Sequence, residues 1–221
     1  MDTKTQKNGL LNIAKGFPTI LSTEFAERFS YYGMKAILVM YIFHSIAEGG
    51  LGLSKADAAA IASVYGAMIY MTSILGGWVS DRILGTARTV LIGSLFILAG
   101  HITLSLPFGL NALLVSLVLL IIGTGLLKPN VATMVGAVIT DDSKRSTGFS
   151  LLYLSVNIGS FISPIVVGFL RNKYGFHAGF SAAAIVMLIG IITFAYGYKK
   201  YFKKMSNKAP NPIDNSEKKN I

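Results

Sequence analysis

Apolar residues run along this chain in six long blocks, at about 17–46, 57–79, 88–106, 112–139, 147–170 and 178–198, with short polar gaps between them. A helix needs about 20 predominantly apolar residues to cross ~30 Å of hydrocarbon. Each block is close to that length, so the pattern predicts six membrane-spanning helices joined by hairpin-sized connections. The expected fold class is an all-α membrane protein, a six-helix bundle over residues 16–198. A short segment, 1–15, precedes it, and a polar, Pro/Asn/Lys-rich stretch, 199–221, reads as a tail or linker.

The first block departs from simple hydrophobicity. It contains Glu24-Phe-Ala-Glu27-Arg28-Phe-Ser-Tyr31-Tyr32-Gly-Met-Lys35. On a helix, Glu24, Glu27, Arg28, Tyr31, Tyr32 and Lys35 share one stripe roughly 140° wide and about 16 Å long, while Phe25, Phe29 and Gly33 face the other way. Charges in lipid cost several kcal/mol each, so a stripe of this kind belongs against a polar cavity. The same charges, and the lack of a small-residue cleavage site, argue for a retained helix and against a secretory signal.

The fourth block holds the second polar signal, Gly123-Thr-Gly-Leu-Leu-Lys128-Pro129-Asn130. Lys128 sits near mid-helix, and Pro129 removes a backbone donor and disfavours helical geometry at the residue before it, so the helix is expected to bend at Lys128, freeing carbonyls and re-aiming the ammonium. An ammonium at that depth needs a carboxylate nearby, and Glu24 and Glu27 are the intramembrane acids, so Lys128 is expected to reach helix 1. In the fifth block Ser155, Gly159 and Ser163 recur every four residues, a close-packing face, with Asn157 offering an amide to a neighbouring helix or a ligand. Tyr65 and Tyr70 lie on helix 2. His101 on helix 3 reads more as a hydrogen-bonded bundle residue than as a proton carrier, His44 lies near the outer end of helix 1, and His177 in an outer loop. None of the histidines has a partner cluster suggesting metal.

Charge sharpens the topology. The chain has a formal net charge of +10, and the positive residues follow the connections. Lys4, Lys7 and Lys15 precede helix 1, Arg82 and Arg88 lie between helices 2 and 3, and Lys144 and Arg145 between 4 and 5. Four lysines, Lys199, Lys200, Lys203 and Lys204, follow helix 6. The opposite loops hold only Lys55, Arg171 and Lys173. By the positive-inside rule both termini are expected to be cytoplasmic, and the distribution argues against a nucleic-acid partner. The chain is 52% hydrophobic and 14% charged, which suits a multi-pass membrane protein. It has no cysteine, which excludes disulfide and thiol chemistry. No hydrolase motif such as Gly-x-Ser-x-Gly appears on suitable helices, so an enzyme is not expected.

Taken together, these motifs resemble the proton-coupled oligopeptide transporter (POT/PTR) family of the major facilitator superfamily. Glu24 to Gly33 is similar to that family's E-x-x-E-R signature with its aromatic pair. Gly76 to Thr89, containing Gly77, Asp81, Arg82, Gly85 and Arg88, is similar to its helix 2–3 loop, where Asp81 is expected to cap a helix or pair with Arg88. Lys128 and Asn157 fall where the family has its helix 4 lysine and helix 5 asparagine. The resemblance implies half of a major facilitator fold, two inverted three-helix repeats, in the amino-terminal half of a proton-driven di-/tripeptide symporter of the plasma membrane. It implies Glu24, Glu27 and Arg28 as proton-coupling residues and Tyr31, Tyr32, Lys35, Tyr70, Lys128 and Asn157 as substrate-binding ones. Gly77, Asp81, Arg82, Gly85 and Arg88 form its conformational loop. It implies no cofactor beyond the proton as coupling ion, no metal, and as partners a di- or tripeptide, the lipid bilayer and a carboxyl-terminal six-helix bundle. Lys35 stands where many members have arginine, which keeps the charge and loses bidentate geometry. Two alternatives stay open: a half-transporter for another small solute such as nitrate, a drug or a sugar, and a bundle that transports nothing.

Overall fold

The computed structural model describes residues 3–139, 141–202 and 209–212, with side chains from Lys15 onward. The segment 1–15 and the stretch 199–221 therefore lie largely outside the described side chains, Lys4, Lys7, Lys203 and Lys204 among them.

Among the described residues six helices carry the fold: α1 (Thr3–Phe43), α2 (Lys55–Val79), α3 (Thr86–Ser105), α4 (Gly109–Val138), α5 (Asp142–Tyr174) and α6 (Phe176–Gly197). Three short elements punctuate them, a 3₁₀ turn at Ile46–Glu48 and π-helical turns at Ser80–Leu84 and Tyr198–Phe202. Five of the helices, α2 to α6, are long and apolar enough to cross a membrane. The remaining one, α1, is long enough, but Glu24, Glu27, Arg28 and Lys35 fall within its apolar part.

The packing is an exchange between the first three helices and the last three. α1 lies against α5 and α6, α4 lies against α2 and α3, and α3 touches α6, whereas α1, α2 and α3 barely touch one another. Swapping α1 with α4, α2 with α5 and α3 with α6 reproduces most of this arrangement, as two inverted repeats require. The turns carry the same mark. Gly85 before α3 has φ 78° and ψ 153°, and Gly175 before α6 has φ 90° and ψ 173°, a region open in practice only to glycine.

Small residues set the helix crossings. A Cβ on Gly93 would come 2.8 Å from the Gly123 carbonyl, joining α3 to α4, and one on Gly159 would come 2.9 Å from the Phe25 carbonyl, joining α5 to α1. On α6, Gly190 faces Ala26 and Gly197 faces Thr19 of α1. In lipid, where apolar side chains gain nothing by leaving solvent, such close backbone contact is what drives association. The Ser155–Gly159–Ser163 row is confirmed as a packing face: Ser155 Oγ donates to the Leu21 carbonyl at 2.8 Å, and Ser163 is buried beside Gly33. Large apolar side chains point outward from α2 and α5, including Met71, Ile74, Leu75 and Trp78, and Phe161, Ile165 and Phe169. Patches of this size are a liability in water and a match for hydrocarbon or another bundle.

α4 runs unbroken through Pro129. Proline has no N–H for the Gly125 carbonyl four residues earlier, and that carbonyl faces Gly76 of α2. Asn130, buried, ties the junction by donating to the Gly76 carbonyl at 3.2 Å and to the Leu126 carbonyl at 2.7 Å.

Candidate functional site

The middle of α1 buries a charged cluster. Glu27 is 0% exposed, Arg28 6% and Glu24 8%. Arg28 Nε bonds Glu27 Oε2 directly and lies 3.3 Å from Glu24 Oε1. The four-residue spacing puts Glu24 on the same helix face as Arg28, and the long guanidinium arm also reaches the adjacent Glu27. Glu27 Oε1 and Arg28 Nη2 are buried without a hydrogen-bond partner among the described residues, so the cluster retains one free acceptor and one free donor.

Aromatic rings extend the cluster along the helix. The Arg28 guanidinium sits 5.4 Å from the Tyr31 ring centroid and the Lys35 ammonium 5.7 Å from the same ring. Tyr31 meets Tyr32 edge-on at 5.0 Å and stacks on Tyr65 of α2 at 6.4 Å. Tyr31 and Tyr32 are half-buried and Lys35 is exposed. The α1 stripe thus grades from a dry charged end at Glu24 to a wet one at Lys35.

Lys128 of α4 enters from the side. Its ammonium lies 4.5 Å from the ring centroid of Tyr70, a cation–π contact, and it is within electrostatic reach of Glu24. Among the described residues the Lys128 ammonium makes no ion pair with an acid of helix 1, as was expected of it, and rests instead on the Tyr70 ring. Tyr70 itself is 70% exposed, so the ring and the half-buried ammonium are open to a ligand.

Asn157 stands apart. It is exposed on α5, and its Nδ2 donates to the Tyr153 carbonyl of its own helix at 2.8 Å, satisfying one donor locally and leaving the rest of the amide to solvent or ligand. Of the two roles expected of Asp81, capping a helix or pairing with Arg88, the first is not seen at α3, whose N-cap is Gly85 with no side-chain cap. Asp81 is exposed in the π-helical turn, and its backbone carbonyl accepts from the Asn211 N–H at 2.9 Å. Gly77 is half-buried at the end of α2, Arg82 is half-buried, and Arg88 Nε lies 3.4 Å from the Tyr198 hydroxyl.

The histidines also differ from expectation. His101 is buried with neither ring nitrogen bonded among the described residues, where a hydrogen-bonded bundle residue was expected. His177 lies in the first turn of α6, not in a loop. No group of His, Asp or Glu suited to a metal occurs among the described residues. Tyr65 is the site neighbour that sequence reasoning passed over. Its hydroxyl is buried without a partner among the described residues, near Tyr31, Glu27 and Arg28. A tyrosine on a helix that also carries small packing residues was the available signal, since a buried phenol needs a polar neighbour.

A family model described as "POT family" matches residues 87–220. That is more than half of the chain. The chain belongs to the POT family. The E-x-x-E-R segment lies outside the stretch matched by that POT model, but full-length comparisons include it. A di-/tripeptide transporter of Lactococcus lactis subsp. lactis is 46% identical over 221 residues, covering 99% of this chain and 44% of the relative. An uncharacterised transporter of Bacillus subtilis is 47% identical, covering 94% of this chain and 42% of the relative. Among solved structures, a POT peptide transporter in complex with sulfate superposes with a TM-score of 0.90 at 49% identity, covering 93% of this chain and 42% of that one. A POT family transporter in complex with 5-aminolevulinic acid gives 0.89 at 43% identity, with the same coverage. This POT chain thus spans about two fifths of the length of the relatives it matches. It is a membrane protein with the major facilitator helical architecture, and POT proteins are transporters, not enzymes.

Proposed function

We propose that the whole protein is a proton-driven di-/tripeptide symporter of the plasma membrane. In this reading the chain forms its amino-terminal six-helix half, with both termini cytoplasmic and a carboxyl-terminal six-helix bundle as the opposite wall of the cavity. The observation that carries the reading is the buried Glu24–Arg28–Glu27 cluster with Lys128 within electrostatic reach of Glu24 yet resting on Tyr70. Two carboxylates and two cations balance only while Lys128 serves Glu24.

A short peptide brings a carboxylate, an ammonium and a backbone. Its carboxylate takes Lys128 and Lys35 as partners, and Tyr31, Tyr32, Tyr70 and Asn157 bond its backbone groups. Once Lys128 turns to the peptide, Glu24 loses its second cation and is neutralised by a proton. Release of the peptide returns Lys128 and expels the proton, so binding and protonation advance together. The proton is the sole coupling ion and no cofactor is required. The loop with Gly77, Asp81, Arg82, Gly85 and Arg88 is the element that changes on the cytoplasmic side as the bundles rock.

The test is made in the full-length transporter reconstituted in vesicles. Glu24→Gln abolishes uptake driven by a pH gradient and leaves peptide counterflow intact; gradient-driven uptake at the parent rate would refute the coupling role. Lys128→Ala loses proton-driven uptake, and unchanged uptake would remove Lys128 from the mechanism.

A further inference from the structure

At the far end of α1, sixteen residues and about 24 Å beyond Arg28, His44 closes a second polar cluster. Its Nδ1 lies 2.8 Å from the Met40 carbonyl, and its Nε2 lies 2.9 Å from Nη2 of Arg171, in the last turn of α5. A carbonyl only accepts and a guanidinium only donates. The imidazole is therefore neutral, with its proton on Nδ1 and its lone pair turned to Arg171. The contact is held from both sides: Arg171 also donates to Asn172 Oδ1 at 2.9 Å and lies 4.6 Å from the Phe176 ring centroid, while the His44 ring packs on Phe43 and Phe176.

The cluster is open to solvent, in a depression of about 310 Å³ lined by His44, Glu48, Arg171, Asn172, Gly175 and Phe176. The charged and titratable groups around it can be named element by element. Glu48 of the 3₁₀ turn feels both His44 and Arg171, and its carboxylate is held by Ser45 Oγ at 2.9 Å and Ser45 N at 3.3 Å. Arg171 and Lys173 come from α5. His177 comes from α6, edge-on to the Tyr41 ring at 5.7 Å, and Lys55 from the start of α2, over the Phe43 ring.

We propose that His44 is a proton-binding latch: its neutral imidazole ties the end of α1 to the end of α5 through Arg171, and proton binding opens the tie. A proton on Nε2 sets two donors, both positive, against each other with no acceptor between them. Arg171 then leaves the imidazole, and Glu48 is the acid beside both cations. This site is separate from the Glu24–Arg28–Glu27 cluster and holds whichever solute the protein carries.

The experiment uses the full-length protein in detergent, with any cysteines outside this cysteine-free segment replaced. Spin labels are placed at Ile46 and Tyr174, both exposed and, among the described residues, neither in contact with the His44–Arg171 pair. The distance distribution between them is expected to lengthen and broaden on going from pH 8 to pH 5. His44→Phe keeps the ring and removes the proton site, so its distribution is expected not to change with pH. Arg171→Met removes the repelled cation and is likewise expected to show no pH dependence, which decides the matter if His44→Phe does not fold. A parent distribution indifferent to pH, or the same pH shift persisting in either variant, would overturn the latch. Transport does not enter the readout, so failure here and failure of peptide symport are separate results.

Discussion

Replacing Arg28 with methionine tests the energetics of the α1 cluster most directly. Methionine keeps an unbranched apolar stem and removes the cation that, among the described residues, is bonded to Glu27 and paired with Glu24. Glu27 is 0% exposed and Glu24 8%, so water does not replace the lost partner. Breaking a buried pair from one side costs about 3–5 kcal/mol, because a charge is stranded. For a unit of this size, in which 1 kcal/mol moves the midpoint by about 2–4 °C, Arg28→Met is expected to melt roughly 6–20 °C below the parent. The assay is thermal unfolding of the detergent-solubilised protein followed by loss of the monodisperse species. A second change separates stranded charge from lost packing. Adding Glu27→Gln to Arg28→Met leaves one acid facing Lys128 and is expected to recover about 0.5–3 kcal/mol, as coupled neighbours do. A melting temperature unchanged by Arg28→Met, or a double variant melting no higher than the single one, would refute this account.

Two further outcomes follow from the packing. Gly159→Leu forces a side chain against the Phe25 carbonyl and the Phe29 amide, 2.9 and 3.2 Å from the new Cβ, and is expected to cost about 1–3 kcal/mol of stability. Gly136→Leu, with nothing within 4 Å, is expected to melt like the parent. Asn157→Ala removes an exposed amide bonded only within its own helix among the described residues, so stability should change by less than about 0.5 kcal/mol. Peptide affinity, measured by competition, should fall about 2- to 10-fold, the value of one net hydrogen bond.

The helices were legible because each apolar run is as long as the hydrocarbon is thick; most ends fall within a few residues of the expected ones, but α1 begins at Thr3, well before the apolar run that starts near Phe17, because a helix can continue through polar residues outside the hydrocarbon. Ser155, Gly159 and Ser163 were legible because a four-residue repeat of small side chains has few uses other than close packing. Side-chain pairing across long separations was not. His44 and Arg171 lie 127 residues apart, and nothing in either local sequence announces the other. Counting charges directed Lys128 toward the helix 1 acids, but the Tyr70 ring that receives it depends on how α2 is rotated, which helical periodicity alone leaves open. The surroundings of Asp81 were not legible, because the chain passes from α2 into a π-helical turn and the Asp81 backbone carbonyl accepts from Asn211, far away in sequence. Gly175 went unnoticed because its role emerges only beside Gly85, once the two halves are superposed in the mind as repeats.

The exchange between the two helix triplets has a consequence for synthesis. α1, α2 and α3 leave the ribosome first and barely touch one another. Their partners are made later: α4 for α2 and α3, then α5 and α6 for α1. Until α5 emerges, the stripe with Glu24, Glu27 and Arg28 lacks the helix that lies along its back, and nothing locks its orientation. The most charged helix therefore waits for its packing partner while more than a hundred further residues are added after Arg28. The first half of the bundle is a set of open positions that only the second half can close.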